Sequence, residues 1–143
     1  MLRDDWEIDA AVWSVTSFSE LQRDGISSER SARLGEIVDA PYVNTALGTS
    51  AGPIIAATDY VRTVPELIHA YAPRRCVILG TDGFGRSDTR QALREFFEVD
   101  RKSIVIAALK VLHDEGVVES GVIEKARRHY TYGAEERFAS WLK

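Results

Sequence analysis

The residues best placed to do chemistry sit in one short stretch. Gly80, Gly83 and Gly85 punctuate Leu79-Gly80-Thr81-Asp82-Gly83-Phe84-Gly85-Arg86-Ser87-Asp88-Thr89-Arg90. Glycine-rich loops that open a helix can cradle phosphates, because backbone amides and the helix dipole converge there. The dinucleotide fingerprint is incomplete, however, since Asp88 stands where the third glycine belongs. No strand with an acidic end follows at the required distance. A phosphate-binding P-loop is absent because the chain has no Gly-Lys-Ser/Thr. Arg86 and the helix start at Asp88 leave open a small anion site. The competing reading is a shaped turn that packs against another domain.

Other reactive side chains are scattered. His69, His113 and His129 fall in predicted helices among charged or aromatic neighbours. They read as solvated positions. The single cysteine, Cys76, lies in an apolar run and reads as a small core residue. It has no partner for a disulfide, and one cysteine with three dispersed histidines has no zinc spacing. Arg74-Arg75 and the cluster at residues 125–128 read as solvated faces or contacts to an acidic partner. The residues therefore assemble no self-contained catalytic, cofactor or metal site.

The loop needs a scaffold, and the flanking text supplies one. Cys76-Val77-Ile78-Leu79 is too short an apolar run for a helix and reads as a buried strand. Asp88 followed by Gln91 predicts a capping box for a helix over residues 88–97. The loop then sits at the carboxyl end of a strand, where open α/β sheets place their functional crevices.

The remaining elements follow in order. Residues 2–6 read as a helical turn and residues 11–16 as a first strand. Ser17 and Glu20 cap a short helix over residues 18–23, ended by Gly25. A surface excursion covers residues 26–39, and residues 41–52 have no settled form. A second strand spans residues 53–58, with a helix to Tyr71 kinked or restarted at Pro65. The third strand is residues 75–80. Asp100 caps a helix to Glu115, with Val99 and Ile104 as a hydrophobic staple. Its apolar face is Ile104, Ala107, Ala108, Val111 and Leu112. Ser120 caps a helix to about Tyr130, and a last amphipathic segment covers residues 135–142.

Strand then helix, three times over, predicts a parallel sheet with covering helices. The 143 residues suffice for one domain, with 45% hydrophobic and 28% charged residues. A net charge of -4 argues against nucleic acid. No apolar run approaches the roughly 20 residues of a membrane helix, and the start carries no signal-peptide core. A cytoplasmic protein is expected.

The wording of the loop resembles the C-terminal domain of the homodimeric-type E1 component of bacterial pyruvate dehydrogenase. The resemblance extends to Val12-Trp13-Ser14-Val15-Thr16-Ser17-Phe18, Glu20-Leu21-Gln22-Arg23-Asp24-Gly25, Pro41-Tyr42-Val43, Ala57-Thr58-Asp59-Tyr60, and Phe97-Glu98-Val99-Asp100 with Ala107-Ala108-Leu109 behind it. It departs at Glu7, where the family tends to have glycine. It departs again across residues 31–40, where the family usually carries a tryptophan and a longer connection.

The resemblance implies one domain over residues 1–143. Its fold is a three-layer α/β/α transketolase C-terminal-like unit with a mostly parallel sheet and a helical C-terminal portion. Two of the family's five strands, one of them central, precede the matched region. It further implies an oxidoreductase that decarboxylates pyruvate with thiamine diphosphate and magnesium, then passes the acetyl group to lipoyl-E2. The family's cofactor and catalytic residues lie upstream of the match. No catalytic, cofactor or metal residue is carried over, and this segment is expected to bind no cofactor and turn over no substrate. Thr81, Asp82, Phe84, Arg86, Asp88 and Arg90 are instead expected to meet preceding E1 domains or a second E1 subunit. The missing strands predict self-association of the isolated chain, with the edge of residues 11–16 available. The alternatives are a free-standing regulatory or assembly module that docks on a thiamine-dependent enzyme, and a small anion-binding protein using residues 80–90.

Overall fold

In the computed structural model, residues 1–132 are described. Within them, seven helices, one 3-10 turn and two strands follow one another: α1 (Leu2–Trp6), α2 (Phe18–Arg33), α3 (Tyr42–Gly48), β1 (Ile54–Ala57), α4 (Thr63–Glu66), the turn His69–Tyr71, β2 (Cys76–Leu79), α5 (Arg90–Phe96), α6 (Arg101–Asp114) and α7 (Val122–His129). The predicted segment at residues 135–142 lies outside the described residues.

β1 and β2 pair in parallel, with Ile54 opposite Cys76 and Ala57 opposite Leu79. The connection through α4 and the 3-10 turn makes this a parallel crossover. Both predicted strands thus form. The strand expected over residues 11–16 does not. That stretch carries no regular structure and is exposed throughout, with Val12 at 94% and Trp13 at 52% accessibility. A strand exists only through ladder bonds to a neighbour, and among the described residues β1 and β2 pair only with each other.

Gly25 does not end α2, which runs eight residues further. It is buried, and a Cβ there would come within 2.4 Å of the Tyr71 ring. The glycine lets an aromatic ring lie on the helix backbone. Ser17 caps α2 as predicted, its Oγ accepting the Glu20 amide at 3.2 Å. Residues 41–52 resolve into α3, whose last carbonyls are held by Arg74: its guanidinium donates to Leu47 O at 3.2 Å and Gly48 O at 3.1 Å. A basic side chain at a helix C-terminus satisfies orphan carbonyls there. Arg74 is thus a cap, and Arg75 pairs with Asp114 at 3.2 Å. Neither is a free surface charge.

The single helix expected up to Tyr71 is two short pieces. Pro65 is buried inside α4 rather than starting it, and no side chain caps α4. A ring nitrogen without a proton limits continuation of the hydrogen-bond ladder.

α6 forms the spine. Asp100 caps it, its Oδ1 accepting the Ser103 amide at 2.9 Å. Gly116 closes it at φ 73°, with Gly116 N–H to His113 O and Val117 N–H to Leu112 O. The buried side chains are Ser103, Val105, Ala108, Leu109, Val111 and Leu112. This is broader than the predicted face, and Ile104 and Ala107 are only half-buried. The reason is that α6 packs against both β1 and α7. Val105 and Leu109, one turn apart, join Ala126 of α7 in the innermost cluster. Met1, Leu2, Trp6 and Ile8 cover that cluster from α1 and the residues beside it. Gly121, at φ 88°, is the N-cap of α7 in place of the expected Ser120.

Candidate docking surface

β2 ends at Leu79, and the chain must then pass close to the turn that follows β1. Gly80 makes that passage possible. A Cβ at residue 80 would stand 2.8 Å from the Arg62 amide nitrogen and 2.9 Å from Tyr60 O. The loop is next stitched to that turn. Thr81 N–H donates to Tyr60 O at 2.9 Å, and Thr81 Oγ1 donates to Asp59 O at 3.0 Å. Asp82 Oδ1 accepts the Arg62 amide at 3.0 Å, while its other oxygen faces Arg62 Nε at 3.9 Å. Gly83 turns the chain at φ 97°, a conformation that L side chains resist.

The far end of the loop is fixed differently. The Arg86 guanidinium carbon lies 4.0 Å from the centre of the Phe96 ring in a cation–π contact. Phe96 in turn meets Phe97 edge to face, with centroids 5.0 Å apart. The capping expectation needs correction here. Thr89, not Asp88, caps α5, its Oγ1 accepting the Ala92 amide at 3.3 Å. Asp88 Oδ1 accepts the adjacent Thr89 amide at 2.7 Å. Arg90 is the first residue of α5 and is exposed.

Phe84 stands between these two anchors, 81% exposed. An aromatic ring held in solvent by a loop tied at both ends is preorganised to enter another surface, since little further ordering entropy is lost on contact. The stitched neighbour adds to it: Tyr60 is 70% and Val61 47% exposed. Thr81 and Asp82 are therefore framework, Phe84 is the presented group, and Arg86 is the strut. Tyr60, Arg62 and Phe96 hold the two ends of the loop, and sequence reasoning misses them. A signal for them exists in Asp59-Tyr60, which follows the parallel strand β1 as Thr81-Asp82 follows β2.

Arg86 stacks on Phe96, and the capping hydroxyl of Thr89 takes an amide of α5. The histidines lie apart: His69 is in the 3-10 turn, His113 is in the last turn of α6, and His129 faces Asp5 at 3.6 Å. Burial raises the pKa of the Cys76 thiol above its ordinary range, which disfavours the thiolate needed of a nucleophile. Arg127 and Arg128 both pair with Glu124 on α7. No described helix is long and apolar enough to cross a membrane.

Loops at the carboxyl ends of parallel strands are a general feature of open α/β folds, and comparison with known proteins says which one this is. The profile of the transketolase-like TK C-terminal domain matches residues 1–100, and the chain belongs to that family. Among relatives, the chain is 48% identical over 140 residues to the pyruvate dehydrogenase E1 component of Pseudomonas aeruginosa, covering 96% of this chain and 16% of that protein. It is 46% identical over 132 residues to the E1 component of Cupriavidus necator, covering 91% and 15%. With the Escherichia coli E1 component it shares 38% identity over 139 residues, covering 95% and 15%. The chain thus spans about 15% of the length of the curated relatives it matches. The similarity runs past the profile into α6 and α7.

Proposed function

We propose that the chain is the C-terminal assembly segment of a pyruvate dehydrogenase E1. In this reading the whole enzyme, in the cytoplasm, decarboxylates pyruvate with thiamine diphosphate and magnesium and passes the acetyl group to lipoyl-E2. The segment contributes subunit assembly and the approach to the active site, and it holds neither cofactor nor catalytic group. The observation that carries this is Phe84: 81% exposed, yet anchored on one side through Thr81 and Asp82 and on the other through Arg86. Held in place and flanked by the exposed Tyr60 and Val61 of the turn bonded to its loop, it is expected to be covered in the complete enzyme by a preceding E1 domain or a second E1 subunit.

The exposed residues 11–16 support the same reading. Val12, Trp13 and Val15 are strand-forming residues left without a ladder, and among the described residues the two-stranded sheet has open outer edges. A neighbouring strand from the rest of an E1 chain would use them. In isolation the chain is expected to self-associate through them.

Calorimetry of the isolated chain with thiamine diphosphate and magnesium tests the division of labour. The expected trace shows dilution heat alone. A saturating isotherm at micromolar cofactor would place a cofactor site in this segment and end the proposal. Light scattering at rising concentration tests self-association; a constant monomer mass at high concentration would contradict it.

A further inference from the structure

α1 is held from the far end of the chain. Met1, Leu2, Trp6 and Ile8 cover the Val105–Leu109–Ala126 cluster of α6 and α7. The Trp6 indole N–H donates to the Tyr130 hydroxyl at 2.8 Å, and that hydroxyl donates to Asp5 Oδ2 at 2.7 Å. His129 Nε2 faces the same carboxylate oxygen at 3.6 Å. The link from α1 to α2 is held far less. Residues 9–16 are exposed and carry no regular structure, and among the described residues 11–16 make no hydrogen bond or ion pair. Extended, such a link reaches roughly 26–29 Å, about the diameter of a small domain. Ala11-Val12-Trp13-Ser14-Val15-Thr16 carries no charge, and Val12, Trp13, Val15 and Thr16 all favour strands.

We infer that α1 exchanges between two copies of this chain: α1 of each copy sits on α6 and α7 of the other, and the two 11–16 segments pair antiparallel between them. The inference rests on the self-association expected of residues 11–16 and adds which element crosses over and what it contacts. The occupant is a second copy because the surface that receives α1 already fits α1, so every contact of the closed chain recurs between chains. Two-fold symmetry centred between Trp13 and Ser14 sets each Val12 opposite the partner's Val15, and no like charges meet across that ladder. The ladder bonds that the single chain lacks are made there. The α1 contacts are equal in the closed and exchanged forms. Only the ladder therefore offsets the lost independent motion of one chain, and the dimer is favoured by concentration.

The test uses an equal mixture of isotopically labelled and unlabelled 143-residue chain, unfolded together in urea, refolded at high concentration and separated by size. In the dimer fraction, isotope-filtered contacts are expected between the Trp6 indole of one chain and the Tyr130 ring of the other. The monomer fraction should show that contact within one chain alone. A dimer whose Trp6–Tyr130 contacts all lie within single chains would overturn the exchange while leaving association through residues 11–16 standing. No dimer at any concentration would remove both. A second measurement follows dissociation of the isolated dimer on dilution. Leaving an exchanged dimer requires opening the clasp, so Y130F, which removes both bonds to the hydroxyl, should dissociate about fivefold faster or more. Equal rates for Y130F and the parent would also overturn the exchange, because a dimer paired only at its edges parts without moving α1.

Discussion

Trp6 and Tyr130 are 124 residues apart in sequence, and the Trp6 indole N–H donates to the Tyr130 hydroxyl at 2.8 Å. The hydroxyl donates its own proton to Asp5 Oδ2 at 2.7 Å. The rings meet at 63° with centroids 6.5 Å apart. This clasp holds α1 over the Val105–Leu109–Ala126 cluster and joins the first described helix to the end of the last. Burial, first, and the bond to Asp5 both raise the Tyr130 pKa, so the neutral phenol is the form the fold uses.

Tyr130→Phe keeps the ring and removes both bonds. A half-buried indole N–H loses its partner and the Asp5 carboxylate keeps only His129 nearby, a loss of about 1–2 kcal/mol. Urea unfolding should show a lower midpoint at unchanged slope. An unchanged midpoint would mean the clasp contributes packing alone.

Two glycines should respond with opposite sign to the same substitution. Gly25→Ala drives a methyl into the Tyr71 ring and should cost about 1–3 kcal/mol by overpacking. Gly48, the last residue of α3, has open space within 4 Å of where a methyl would stand, and Gly48→Ala should stabilise by up to about 1 kcal/mol. Thermal unfolding of both variants against the parent checks the pair.

Glu7 closes α1 at φ 55°, the left-handed region that favours glycine. Glu7→Gly should raise stability by up to about 1 kcal/mol, the relief of the left-handed strain being partly offset by the entropy of the unfolded chain. A lower melting temperature in the variant would contradict the assignment of strain.

Asp114 is the hub of two ion pairs, with Lys110 one turn earlier and Arg75 just before β2. The Lys110 hydrogen bond leads in holding its carboxyl below the ordinary carboxylate range, with Arg75 adding to it against partial burial. The folded pKa is below the unfolded one. The contribution is therefore whole above the unfolded value and is lost as pH falls through the folded one. Asp114→Asn should melt below the parent at neutral pH, with the gap closing as the pH is lowered through the carboxylate range. A gap independent of pH would remove charge from the explanation.

The strands β1 and β2, the loop between Leu79 and α5, and the spine α6 are legible in the sequence because each is written locally. Short apolar runs, glycines and an Asp100 cap act within a few residues. What is not legible depends on partners remote in sequence. Gly25 reads as a helix stop until Tyr71 is known to lie on it. Residues 11–16 read as a strand because their side chains suit one, but a ladder needs a neighbour. The predicted face of α6 holds at Ala108, Val111 and Leu112 but misses Val105 and Leu109, because the cluster with Ala126 of α7 buries a second side of the helix. In the loop, Phe84 is exposed, and Thr89 displaces Asp88 as the cap. Tyr60 and Val61 join the surface only through hydrogen bonds between two turns 20 residues apart, such as Arg62 N–H to Asp82.

The reading of the Phe84 loop as the joint between this segment and the rest of an E1 stands or falls on one chimera. The chain replaces the matching stretch of the Pseudomonas aeruginosa E1 component, with and without Phe84→Asp. Sedimentation velocity and pyruvate decarboxylation are measured on both. The parent chimera should assemble and be active. The Phe84→Asp version should lose assembly and activity together, while the isolated segment carrying the same change still folds. An assembled, fully active Phe84→Asp chimera would show that the loop is not the joint.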